Sequence, residues 1–401
     1  MAVIGQQKHA DWLALVLLWG AGLYLRLTVM VAPPLAPLIG QELSLSQTAT
    51  GALTTFPILM LAIAGLGASW LISRIGARYT LFMALLLVAA SSSARGLGDT
   101  TMLFVATAIM GVGIAGIQPA LPTLLTEWIP ERIAFGTAVY MNGMLIGEVL
   151  GSTLTLPVML PLANGDWRLA ILFWSLPAII PAFGLLILSR ARTEVAVDTG
   201  SWMPAWNEAL VWRLGILLGA SGSLFFGTNA YLGTVLNGRG EGELLSMGLI
   251  LLNGTQLIAS LLMFWLSRHW IGRAGPIIIL MALGLSALTF FVIVPGIPGL
   301  LALAPAGISA GMVLILMVGL PPIYAVGNQT AALAAGMFGI GAITNFLIPM
   351  LGGIVADLTH IPGMAIVPIV LYCLIALPMA RGLPPIHPAV YPKQKTSSAG
   401  C

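Results

Sequence analysis

The chain has 401 residues, of which 7% are charged and 59% hydrophobic, whereas soluble globular chains carry roughly 25% charged residues. That composition excludes a water-soluble globular protein and makes the bilayer the main solvent. The net charge of +3 comes from Lys and Arg residues scattered singly along the chain, which excludes the clustered basic patch of a nucleic-acid partner.

A membrane span needs about 20 largely apolar residues. Apolar runs between charged or Gly/Pro-rich breaks predict helices over 12–38, 48–72, 78–97, 100–124, 134–161 and 168–190. A second series covers 211–236, 245–267, 275–295, 298–322, 330–356 and 362–382. The first run is too long for a cleavable signal peptide and lacks a small-residue cleavage site. The least hydrophobic joint, 191–210, separates the two series. The expected fold is therefore an all-α integral membrane protein of about twelve transmembrane helices in two six-helix bundles. The first bundle takes 1–190, a cytoplasmic linker 191–210, the second bundle 211–382 and a cytoplasmic tail 383–401.

Loop charge orients this topology. With the N-terminus in the cytoplasm, the cytoplasmic joints hold twelve basic residues: Lys8, Arg74, Arg78, Arg132, Arg190, Arg192, Arg213, Arg268, Arg273, Arg381, Lys393 and Lys395. Arg95, Arg168 and Arg239 face out. Such an asymmetry is expected of retained cytoplasmic loops, and it places both termini inside. The halves also echo each other. Arg74 and Arg268 open equivalent joints 268 − 74 = 194 residues apart, and Trp12 and Trp212 open the first and seventh spans 200 apart. A duplicated six-helix unit is the pattern of transporters with a site between two halves.

The joint from Gly67 to Arg78, Gly-Ala-Ser-Trp-Leu-Ile-Ser-Arg-Ile-Gly-Ala-Arg, resembles the G-x-x-x-D-R-x-G-R-R loop of the major facilitator superfamily. Arg74, Gly76 and Arg78 fit, while Ser73 stands in place of the acidic residue and Ala77 in place of one basic residue. The chain is most similar to the cyanate and 2-nitroimidazole porter group of that superfamily. The similarity runs through Leu25-Arg26-Leu-Thr28, Ala32-Pro-Pro-Leu35, Leu53-Thr-Thr-Phe-Pro57, Gly111-Val-Gly-Ile114, Leu121-Pro122, Gly151-Ser152 and Pro157. This resemblance implies a secondary active transporter of a small polar or anionic solute in a bacterial inner membrane, working by alternating access. It also implies gating at Arg74 and Arg78.

Arg26 is the sharpest candidate for solute contact. It lies 14 residues beyond Trp12, about 21 Å along a helix and well inside the apolar slab. An arginine at that depth costs from about 2.5 to over 10 kcal/mol unless it is wet and partnered, and its fork suits a carboxylate or another small anion. The competing reading is a structural or snorkelling arginine. Glu148, at matching depth in the fifth span, is a counter-ion to Arg26 or a proton carrier, and burial and pairing pull its charge state in opposite directions. It sits within Gly143-x-x-x-Gly147-x-x-x-Gly151, which resembles the fifth-helix glycine pattern of superfamily antiporters and so implies gating at these three glycines. Small residues four apart also predict close helix packing between the halves.

Gln118, Asn229 and Tyr231 are further cavity candidates from the helices that line the superfamily pathway, with interhelical hydrogen bonding as the alternative. Thr28 adds a hydroxyl near Arg26. Asn142, Asn253, Gln256 and Asn345 are other intramembrane polar groups, and Pro57, Pro119, Pro122 and Pro157 mark bends. His9, His269, His360 and His387 have no metal-ligand spacing, Cys373 and Cys401 form no CxxC pair, and no Walker loop or nucleophile elbow is present. No enzyme activity, metal or cofactor is expected. The expected partners are a small-molecule substrate, the lipid bilayer and protons, with the chain a monomer. An exporter of small toxic compounds or drugs is the alternative function, favoured by the 19 methionines and apolar surroundings.

Overall fold

A computed structural model describes residues 2–188, 206–325 and 328–384. Among the described residues eleven single helices are long and apolar enough to cross a membrane, and one bent pair makes the twelfth. In chain order they are α1 Trp12–Glu42, α2 Gln47–Gly65, α3 Ala77–Ala94, α4 Thr100–Trp128, α5 Phe135–Thr153 with Thr155–Leu162, and α6 Trp167–Ile187. The second series is α7 Ala209–Gly238, α8 Gly242–Met263, α9 Ala274–Ile293, α10 Gly296–Val318, α11 Ala332–Thr359 and α12 Pro362–Gly382. All twelve expected spans are present, with ends displaced by a few residues. Most of the expected linker and tail lies outside the described residues.

The lipid-facing surface explains why so apolar a chain folds. Trp12, Ile180, Ile187, Leu261 and Trp265 are largely exposed on helix faces, which only hydrocarbon tolerates on this scale. Backbone polarity is satisfied within the helices. Buried hydroxyls bond back to the preceding turn, as Thr107 does to the Leu103 carbonyl (2.6 Å) and Thr155 to that of Gly151 (2.6 Å).

Helix ends are specified locally. Ser46 and Asp99 cap α2 and α4 by accepting from the backbone N–H groups of Ala49 and Met102. Gly76, at φ +85, reverses the chain between α2 and α3. Arginines serve the opposite ends, where carbonyls are unpaired and the helix dipole is negative. Arg78 donates to the carbonyls of Leu185 and Leu186 at the end of α6, Arg213 to Gly382 in α12, and Arg239 to Phe291 and Val292 at the end of α9.

Each half repeats one packing plan: α1 pairs with α5, α2 with α4 and α3 with α4, while α7 pairs with α11, α8 with α10 and α9 with α10. Between halves, α2 runs along α11, α5 meets α8, and the end of α1 meets α7. Pro157 falls in a π-helical stretch of α5, Thr155–Met159, next to a 55° bend, so it does mark a bend. Pro57, Pro119 and Pro122 lie inside their helices.

Two expectations are corrected. Arg95 is not a loop charge: it is 3% exposed and turned into the first bundle. It donates to the Thr28 carbonyl (3.1 Å) and the Ser92 hydroxyl (2.7 Å). The Gly143, Gly147 and Gly151 stripe packs α5 against α1 of the same half, not against the other half. A Cβ at these positions would run into the carbonyl oxygens of Trp19, Leu23 and Leu27 respectively.

Candidate functional site

The close approach of α5 to α1 coincides with a break in α1. Helix stops at Leu23 and resumes at Leu27. The intervening Tyr24, Leu25 and Arg26 make only tight bonds to residues three back, at 3.2, 3.0 and 3.4 Å. Beyond the break, Pro33 and Pro34 remove two backbone donors, so this stretch cannot regain a full ladder at once. Arg26 sits at the head of the short segment Leu27–Met30 with non-helical φ −128. The glycine stripe brings Glu148, next to Gly147, to the same level.

Arg26 and Glu148 line one cavity of about 360 Å³, a volume within the range of small-molecule sites. It lies between the bundles. The first half contributes Ile58 and Leu61 from α2 and Gln118 from α4, and the second contributes Ser221, Phe225 and Phe226 from α7, Gln256 from α8, Ala310 from α10, and Phe338 and Asn345 from α11. The Arg26 guanidinium lies 4.5 Å from the centroid of the Phe226 ring, a cation–π contact across the two halves. Phe226 belongs to a π-helical stretch of α7, Ser223–Gly227, a distortion that re-aims side chains and recurs at functional sites. Glu148 is 3% exposed, and its Oε1 has no hydrogen-bond partner. Arg26 and Glu148 do not form an ion pair within 4.0 Å, whereas Arg168 and Glu42 do, at 2.7 Å, where α1 ends.

Sequence reasoning brought Arg26, Gln118 and Glu148 to this cavity. The other candidates are not part of its lining. Thr28 is fully buried with its hydroxyl unpartnered. Asn229 is bonded to Asn253 of α8 (2.9 Å), and Tyr231 donates to the Pro349 carbonyl of α11 (2.8 Å). Arg74 lies over the Trp70 ring, and the Arg78 bonds go to α6 of its own half. Gln256, Asn345 and the phenylalanines of α7 and α11 line the cavity without a signal in the sequence, because apolar helices show no face preference that singles them out.

One end of the cavity is sealed by contacts between the bundles. Tyr231 of α7 fits against Gly51 of α2 and Gly353 of α11, where any Cβ would strike its hydroxyl. Thr234 donates to the Gln47 side chain (2.9 Å). The Asp357 carboxylate of α11 takes the first turn of α2, accepting from the backbone N–H groups of Gln47 (2.7 Å) and Thr48 (3.0 Å) and from the Thr48 hydroxyl (2.6 Å). An anion at a helix N-terminus finds unpaired donors and a favourable dipole.

Known proteins share both sequence and fold with this chain. The family model of the Major Facilitator Superfamily matches residues 18–353. The 2-nitroimidazole transporter of Escherichia coli (strain K12) is 30% identical over 223 residues, 55% of this chain and 56% of that protein. YycB of Bacillus subtilis (strain 168), an uncharacterized transporter, is 29% identical over 218 residues, 54% of each chain. The chain thus spans about half the length of these two relatives. The cyanate transport protein CynX of Escherichia coli (strain K12) is 26% identical over 344 residues, 84% of this chain and 88% of that one. In fold, the chain is similar to an inward-facing, occupied bacterial homologue of the human lysosomal transporter Spinster. That likeness has a TM-score of 0.74 at 15% identity and covers 94% of this chain and 96% of the other. The nucleoside transporter NupG gives a TM-score of 0.69 at 14% identity, covering 93% and 98%.

Proposed function

This chain belongs to the major facilitator superfamily, and we propose that it is a secondary active transporter that carries a small polar or anionic solute across a bacterial inner membrane by alternating access. The observation that carries this reading is the cavity lined by both bundles, with Arg26 and Glu148 in its wall and one end sealed by bonds between the halves. Relatives named for cyanate and 2-nitroimidazole transport support a small solute and a non-enzymatic role.

In this reading the two bundles, 1–190 and 211–382, rock about the cavity and 191–210 links them on the cytoplasmic side. Both termini are cytoplasmic, as the loop charges favour. The sealed end is then extracytoplasmic, and solute enters or leaves the described state from the cytoplasm. Arg26 anchors the solute through its in-plane donors while Phe226 covers its face. Glu148 carries the coupled proton, since a carboxyl beside a cation in an apolar wall changes charge as its partner moves. Tyr231, Thr234 and Asp357 form the extracytoplasmic gate. No cofactor takes part.

Uptake into proteoliposomes tests this. Arg26→Ala abolishes transport and Arg26→Lys, which keeps the charge but loses the fork, weakens it by about 1–2 kcal/mol or roughly tenfold. Wild-type rates in both variants refute the role of Arg26. The apolar lining from Phe225, Phe226 and Phe338 favours a second reading as an exporter of small toxic compounds. Cytoplasmic depletion rather than accumulation of solute distinguishes it.

A further inference from the structure

The charges around the cavity restrict what it holds. Arg26 offers only donors, and an ionised Glu148 offers only acceptors. Both line the cavity, yet they are not within ion-pair distance of each other, and Glu148 Oε1 is buried without any donor. A buried acceptor left unpaired is costly. Something that reaches both groups would complete both.

We propose that the site selects a small, planar, net-neutral molecule with a hydrogen-bond acceptor and an N–H donor on one edge, of the primary-amide class, its acceptor on Arg26 and its donor on Glu148. This deepens the transporter reading and rests on it. A simple anion satisfies Arg26 but sets acceptor against acceptor and like charge against like charge at Glu148. A cation satisfies Glu148 and leaves Arg26 facing another positive group. A neutral donor–acceptor edge satisfies both, and it adds no net charge to a site whose two ionised groups already cancel. Planarity follows from the walls. Phe226 covers the guanidinium face at 4.5 Å and Phe225 packs edge-on against Phe226 with centroids 5.1 Å apart, so a ligand coplanar with the guanidinium edge also meets aromatic surface. From the second bundle, Gln256 and Asn345 bring amide groups to the same cavity.

The test is a binding comparison on the purified full chain with three probes of one shape: benzamide, with donor and acceptor; benzoate, with acceptors only; and benzamidinium, with donors only. Benzamide is expected to bind at least about tenfold more tightly than either ion, a difference of about 1.4 kcal/mol. Glu148→Gln, which removes the negative charge, is expected to erase or reverse the margin over benzoate. The wild-type ranking stands without any variant. Benzoate or benzamidinium binding as tightly as benzamide, or none of the three binding, overturns the assignment. Benzoate preference that is lost in Arg26→Ala overturns only the neutral class and leaves an anion transporter. Probe binding indifferent to Arg26→Ala overturns the site reading as well.

Discussion

Replacing Asp357 with alanine should unseal one face of the protein. The Asp357 carboxylate holds three hydrogen bonds of 2.6 to 3.0 Å from Gln47 and Thr48, all crossing from the second bundle to the first. Bonds to a charged acceptor contribute about 1.5–3 kcal/mol each when buried. This carboxylate is half-buried, and water competes for it, so about 3 kcal/mol for the set is a discounted figure. These bonds exist only while the ends of α2 and α11 are together. Losing them therefore shifts the balance toward the state open at this face by roughly 100-fold, at about 1.4 kcal/mol per decade. Asp357→Asn keeps a carbonyl acceptor but loses the charge, and should move the balance about tenfold. Asp357→Glu restores the carboxylate and should recover part of the seal. Spin labels at Gln41→Cys and Leu358→Cys, both exposed near this face, report the distance between halves when Cys401 is replaced and Cys373 stays buried. A new long-distance population is expected in Asp357→Ala. An unchanged distance distribution, with wild-type accessibility at this face, refutes the latch.

Glu148→Gln should lose accumulation driven by a pH gradient, so that internal solute falls to simple equilibration while solute exchange continues. Unchanged gradient dependence in vesicles removes Glu148 from proton coupling. Gly147→Ala places a methyl group against the Leu23 carbonyl of α1, and the resulting strain of about 1–3 kcal/mol should lower the thermal unfolding midpoint by several degrees. Gly67→Ala, where a Cβ meets nothing within 4 Å, should be neutral or slightly stabilising. Equal behaviour of the two alanines in a thermal-shift assay would contradict the α1–α5 packing.

The spans were legible because hydropathy reports the solvent directly, and in a bilayer nearly every helix advertises itself. Arg26 and Glu148 were legible for the related reason that ionised groups at depth need a cause. What stayed hidden depends on which helix faces which. The stripe from Gly143 to Gly151 declares a face of close approach but not its partner, so its expected contact between halves proved to be α1 of its own half. The break at Tyr24–Arg26 is not written in its own residues, since Pro33 and Pro34 lie beyond it and α5 crowds it from outside. Arg95 reads as a loop charge because it ends an apolar run, whereas its long stem reaches back to the Thr28 carbonyl. Asp357 and Thr48 stand 309 residues apart, and nothing local in either segment predicts their pairing.

Arg26 and Glu148 together give the proposed cycle its physical constraint. Stranding an unpaired ion in a dry apolar enclosure costs several kcal/mol per charge even after relaxation. With one end already sealed by Asp357 and Tyr231, the cavity avoids that cost only while its other end admits water. Closing the second end over an empty site requires Arg26 to move onto Glu148. Closing it over a loaded site requires the solute to stand between them. In the proposed cycle, proton and solute thus act through the same two groups, and changing either alters the barrier to closure. The turn at Tyr24–Arg26, held by i to i−3 bonds of up to 3.4 Å, lies where such a movement has to occur. A continuous helix there would hold the guanidinium at one distance from Glu148, whereas the broken one leaves that distance free to respond to what occupies the cavity.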